Sequence, residues 1–217
     1  MALKDVNGFH PLEVFLHPKQ TVQNALDHPS IIIAVILVLL PWIVSFIAAF
    51  FLVGKLDFSP QSMLVEIIVF FIIAFLIFLI GKELGNKDKK LFEGVVSAYS
   101  LVQLVSLIFI ILSVVFLILN PQIVSIIKEW NAGNIQQSDV INNAWDALMQ
   151  NQILGILFLV VGLILMFWQG LLMVYLTFLT IYKSTKSSVF ISIVLMLIIL
   201  TIGFVLKFFG AIIISLL

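Results

Sequence analysis

Residues 81–103 read GKELGNKDKKLFEGVVSAYSLVQ. The first half of this stretch is charged and glycine-bearing, and the second half turns apolar. Lys82, Lys87, Lys89 and Lys90 supply four of the eleven basic side chains of the chain, and all eleven are lysine. On one side lies the apolar run 62–80 and on the other the run 95–119. About twenty apolar residues in helical conformation cross the hydrocarbon core of a bilayer. The stretch therefore reads as the charged loop 81–93 between two membrane-spanning helices.

The rest of the chain follows the same logic. Of 217 residues, 63% are hydrophobic and 10% charged, and the mean hydropathy is +1.27. Soluble domains carry about 25% charged residues, so this chain cannot cover itself with polar surface and needs lipid as solvent. Further apolar runs occupy 31–53, 153–181 and 189–209. The expected fold is all-α: a polytopic bundle of five transmembrane helices, 31–217, with short interfacial amphipathic helices. Residues 1–30 form the first interfacial region. Three His-Pro pairs divide it, at His10, His17 and His28. Proline disfavours helix in the residue before it and suits the first helical turn, which predicts short helices over 11–16 and 18–27 and a new start at Pro29.

Within the first span, Pro41 predicts a kink. The connection 120–152 is the longest polar segment. Residues 123–130 read as a prolongation of the third helix. Ser138 reads as an N-cap, and Val140, Ile141, Ala144, Trp145, Leu148 and Met149 recur on one helical face, which predicts an interfacial helix. In the fourth span Gly155 and Gly162 stand one heptad apart, a spacing that admits a close neighbour. Residues 210–217 read as a short apolar tail, with Lys207 snorkelling from the end of the fifth span.

Lysines orient membrane proteins by favouring the cytoplasm. Eight fall in 1–30, 81–93 and 182–188, against three elsewhere (Lys55, Lys128 and Lys207). This places the N-terminus in the cytoplasm and the C-terminus and the 120–152 segment outside it, in the cell membrane if the source is prokaryotic. No cleavable leader is expected, since the first apolar run begins only at Ile31.

Several functions have no residues to carry them. There is no cysteine, and no phosphate-binding glycine loop, nucleophile elbow or paired-carboxylate arrangement. The three histidines lack the spacing of a metal helix. No catalytic residue, cofactor or metal site is expected, and a net charge of zero argues against a nucleic-acid partner. Two groups of polar residues stand out. Lys82, Lys87, Lys89 and Lys90 are candidates for contact with a partner or with lipid. Glu66, Tyr99, Ser100, Gln103 and Gln169 lie within the spans, where charge and hydrogen-bonding groups are costly, and form a candidate intramembrane polar face. The expected partners are the bilayer, a cytoplasmic protein, and further copies or other chains in an oligomer.

The loop and third span resemble the Yip family, five-span membrane proteins first known as interactors of Ypt/Rab GTPases. Residues 81–87 (GKELGNK) match its glycine- and lysine-rich loop, and residues 92–102 (FEGVVSAYSLV) are similar to its glycine-tyrosine-serine-leucine stretch. The five-span layout, and Phe15-Leu16-His17-Pro18 before the first span, are similar to prokaryotic members. Ala98 stands where glycine is usual and Gln103 where proline is usual. The resemblance implies a non-enzymatic integral membrane protein acting as a scaffold or adaptor in membrane organisation or partner recruitment. The alternative reading from the residues alone is a small transporter or channel built on the intramembrane polar face.

Overall fold

The structure, a computed structural model, describes residues 11–54, 60–149 and 152–216. The expected turn with Lys55 and Asp57, and the positions of Lys4 and His10, lie outside the described residues. Among the described residues a 3-10 turn at Pro11–Phe15 precedes eight helices: α1 Pro18–Asp27, α2 Ile31–Val53, α3 Pro60–Glu83, α4 Leu91–Leu119, α5 Pro121–Asn131, α6 Gln137–Met149, α7 Gln152–Thr185 and α8 Val189–Leu216. No strand occurs among the described residues. Five helices, α2, α3, α4, α7 and α8, are long and apolar enough to cross a membrane. The chain is an all-α integral membrane protein.

Pro18 opens a helix as expected, and two further prolines do the same where the sequence predicts a turn and a helix prolongation. Pro18, Pro60 and Pro121 each open a helix, where the missing N–H costs nothing. Pro121 also ends the expected prolongation of the third helix. Asn120 adopts φ −125°, its side-chain amide donates to the Phe116 carbonyl at 2.8 Å, and α5 starts anew. Pro41 lies inside α2, which is continuous from Ile31 to Val53. Several boundaries move: α3 runs from Pro60 to Glu83 rather than over 62–80, and α7 runs to Thr185 rather than ending at 181. α4 begins at Leu91, so the charged loop shrinks to residues 84–90. α8 runs to Leu216, so residues 210–216 are helix rather than a tail.

The chain divides into two compact units. The first holds residues 1–40, 59–105 and 172–217. Its apolar core is contributed by α2, α3, α4, α7 and α8: Ala34, Val38, Ile73, Ala74, Ile77, Val95, Ile181 and Ile199 are all buried. The pairing of α3 with α8 is antiparallel and depends on two glycines one heptad apart. A β-carbon on Gly203 would lie 3.1 Å from Ile73 Cδ1, and one on Gly210 would lie 2.5 Å from Val65 Cγ1. Small residues let membrane helices approach until their side chains interlock. The sequence pointed instead to Gly155 and Gly162 of α7. Among the described residues no neighbouring element lies within 4 Å of a β-carbon on Gly162; the surroundings of Gly155 lie outside the described side chains, and the close heptad that is described belongs to α8.

The second unit holds residues 41–58 and 106–171. In it α5 and α6 form a hairpin that turns at Gly133. Ile141 and Trp145 of α6 are 72% and 50% exposed, an apolar face suited to the membrane interface. An open groove of about 450 Å3 runs between the second half of α4 and α7, lined by Leu112, Phe116, Val161 and Leu165 among others.

Candidate functional site

The four candidate lysines flank one turn. α3 ends in a left-handed glycine, Gly85 at φ 93°, which only a residue without a β-carbon adopts freely. Asn86 N–H then donates to the Gly81 carbonyl at 3.0 Å and Gly85 N–H to the Lys82 carbonyl at 3.1 Å. This is the bond pattern of a Schellman cap. The Asn86 side chain does the rest. Its amide donates to the Ser184 carbonyl, at the end of α7, at 2.6 Å. Its oxygen accepts from Asp88 N–H at 3.1 Å, and the Asp88 carboxylate accepts from Lys90 N–H at 2.9 Å. Asn86 is 9% exposed, while Lys82, Lys87, Lys89 and Lys90 are all exposed. One buried amide thus ties a cationic turn to the end of α7, where Lys183 and Lys186 flank Ser184 and Thr185.

Neighbouring joints brace the same end of the first unit. Gly81 faces the α7 terminus, where a β-carbon would lie 3.2 Å from the Ser184 carbonyl oxygen. Gly94 faces α1, where a β-carbon would lie 3.0 Å from the Leu26 carbonyl oxygen. Ser30 N–H, at the start of α2, donates to Ser97 Oγ at 2.9 Å. Between α7 and α8, the hydroxyls of Thr185 and Ser187 lie 2.7 Å apart and those of Ser187 and Ser192 2.8 Å apart. Lys186 takes a left-handed φ of 52° between them. Asn86, Ser97, Gly81 and Gly94 all lie within residues 81–103. Nothing local distinguishes them from cap and helix residues, because each tertiary partner except Leu91 lies far away in sequence.

The intramembrane candidates are distributed differently. Glu66 of α3 forms an ion pair with Lys207 of α8, 2.8 Å between Oε2 and Nζ. Lys207 is therefore not a lone snorkelling residue. Glu66 and Lys207 lie near the ends of their spans, within the first and last turns of 63–83 and 189–210. Phe70, one turn beyond Glu66, is buried and stacks on Tyr99 of α4 with ring centroids 5.3 Å apart. Ser100 is fully buried and donates its hydroxyl to the Ser97 carbonyl at 2.7 Å. Gln103 follows on the same face, half-buried. These four belong to the first unit, whereas Gln169 belongs to the second. Among the described residues no buried side-chain nitrogen or oxygen lacks a hydrogen-bond partner.

The geometry offers an anchored, exposed cationic turn and an ion pair within the spans. No protein-family model, no curated protein and no solved structure matches the chain.

Proposed function

We propose that this protein is a non-enzymatic, Yip-like membrane scaffold or adaptor. Its cytoplasmic face comprises residues 1–30, 81–93 and 182–188. The N-terminus lies in the cytoplasm and the C-terminus outside it. Lys82, Lys87, Lys89 and Lys90 recruit a cytoplasmic protein that carries a complementary acidic surface.

The observation that carries this reading is the Asn86–Ser184 bond. An unanchored lysine loop would only orient the chain. A turn capped at Gly85, closed by Asp88 and tethered to α7 holds its lysines in a defined arrangement before any partner arrives. Preorganisation of this kind reduces the ordering cost of association.

The chain contains no cysteine, so a single introduced one reports cleanly. Cysteines at position 87 and, separately, at position 139 should label from opposite sides of the membrane, and labelling from the same side overturns the orientation. Photocrosslinking in native membranes from a probe at position 84, where an exposed leucine stands at the start of the turn, tests recruitment. A cytoplasmic protein captured by the native chain, and lost when the four lysines become glutamates, is the expected result. Crosslinks to lipid alone overturn the adaptor reading.

The transporter reading rests on one feature, the Glu66–Lys207 pair, because paired charges inside membrane segments often mark ion or proton routes. Flux through reconstituted vesicles that disappears in Glu66→Gln would favour it.

A further inference from the structure

A second cationic feature in the first unit draws on lysines outside the 84–90 turn, although it shares the end of α7 to which Asn86 ties that turn. Where α1 lies beside the last turns of α7, an open cleft of about 450 Å3 is lined by His17, Lys19, Gln20, Asn24, Tyr175 and Lys183, together with Pro18 and Gln23. No carboxylate lines it. The nearby Asp27 is engaged by Gln23, whose Nε2 donates to both carboxylate oxygens at 2.9 Å. Among the described residues neither Lys19 nor Lys183 has a carboxylate within ion-pairing distance. Two ammonium groups from different helices therefore face one concavity whose other polar groups include amides, an imidazole and a phenol.

The depth of the cleft indicates the source of its ligand. Lys183 stands at the end of the span and Tyr175 eight residues deeper, about 12 Å along the helix. Lysine at the end of a span occupies the headgroup level, and Tyr175 lies below it within the span. Val174 and Tyr175 are exposed on α7, so apolar surface continues below the charges. A ligand seated here meets cations and amides at its head and hydrocarbon beneath.

We infer that the cleft formed by His17, Lys19, Gln20, Asn24, Tyr175 and Lys183 binds the phosphate of an anionic phospholipid headgroup, with its acyl chains running down α7. The site uses none of the lysines of the 84–90 turn, and it stands whether or not that turn recruits a protein.

The test is native mass spectrometry of the full chain in a mild non-ionic detergent, titrated with short-chain phosphatidylglycerol or phosphatidylcholine. The native chain should retain phosphatidylglycerol preferentially. Each lysine near an anionic headgroup contributes about fivefold in affinity, so Lys19→Gln with Lys183→Gln should weaken retention about 25-fold. Lys19→Arg with Lys183→Arg keeps the charges and should keep the retention, which guards against a glutamine variant that merely misfolds. Lys87→Gln with Lys89→Gln should leave retention unchanged. Equal retention of the two lipids, or an unaltered Lys19/Lys183 glutamine variant, overturns the inference. Inorganic phosphate that binds the native chain while phosphatidylglycerol does not displace it also overturns it, because the anion is then free phosphate rather than lipid.

Discussion

α3 and α5 end on the same dipeptide. α3 stops at Gly85-Asn86 and α5 at Gly133-Asn134. Both glycines take positive φ, 93° and 77°. Both asparagine N–H groups reach back five residues, Asn86 to the Gly81 carbonyl at 3.0 Å and Asn134 to the Glu129 carbonyl at 2.9 Å. Beyond the backbone the likeness ends. Asn86 is buried and holds Ser184, whereas Asn134 is exposed. The backbone cap is a local property that two adjacent residues specify. The tether is a property of what the fold brings alongside.

The same contrast separates the two units, each taken by itself. The first packs Ile77, Leu101, Leu176 and Ile181 out of reach of solvent or lipid. It joins its helices through glycines and through hydrogen bonds that cross long stretches of sequence. The second exposes Ile118, Leu119, Leu163, Ile164 and Phe167, and its Gly162 meets no neighbour. Among its described residues few side chains are buried.

The largest difference between the two turns is expected at the residues that accept the two caps. Gly81→Val places a branched side chain where even a β-carbon lies 3.2 Å from the Ser184 oxygen and 3.3 Å from Leu91 Cδ2. Overpacking of this kind should cost about 2–3 kcal/mol. Glu129→Val, at the equivalent exposed position, should change stability by about 0.5 kcal/mol or less. Denaturant titration of the full chain in detergent micelles measures both. The next effect comes from the asparagines. Asn86→Ala strands the Ser184 carbonyl without its side-chain donor and should cost about 2 kcal/mol, while Asn134→Ala should stay within about 0.5 kcal/mol. Equal losses at the two sites would mean that the Asn86 tether contributes nothing beyond the cap.

The glycines should not distinguish the turns. Gly85→Ala and Gly133→Ala each force a β-carbon into left-handed backbone and should cost about 1–2 kcal/mol apiece. A clear inequality would show that tertiary contacts, rather than backbone geometry, set the stability of the cap. The smallest effect concerns what holds α3 to α8. Glu66 is 33% and Lys207 52% exposed, so their coupling in a double-mutant cycle should be about 0.6 kcal/mol. Gly210→Ala, whose β-carbon would lie 2.5 Å from Val65 Cγ1, should cost more than that. The reverse order would make the charges, and not the glycines, the principal joint.

Much of the fold is legible in the amino-acid sequence. Each of the five apolar runs forms a helix, and Pro18 marks a helix start. Amphipathic spacing locates α6, and charge patterning locates the lysine turn. The misreadings have physical causes. α4 starts at Leu91 rather than at 95 because Leu91 packs into the core, 4% exposed, although a charged run precedes it. α8 continues past Lys207 because Glu66 answers that charge. The described close glycine heptad is in α8, and Gly162 of α7 meets no neighbour among the described residues, since a small residue is useful only where a neighbouring helix arrives. Of the polar candidates, the four lysines lie on or beside one turn, whereas Glu66, Tyr99 and Ser100 each engage a partner nearer than a shared cavity.

Hydropathy alone calls for five membrane helices, because a bilayer makes the same demand of any stretch of about twenty residues, whatever lies beside it. Glycine followed by asparagine is enough to end α3 and α5, because left-handed backbone is a property of the residue that adopts it. That Asn86 reaches Ser184, that Gly94 admits Leu26, that Ser97 receives Ser30, and that Lys19 and Lys183 share a cleft was decided only by the fold. These pairs stand 98, 68, 67 and 164 residues apart in sequence. A hydrogen bond or a van der Waals contact depends on distance in space, and no local pattern encodes the partner at its other end.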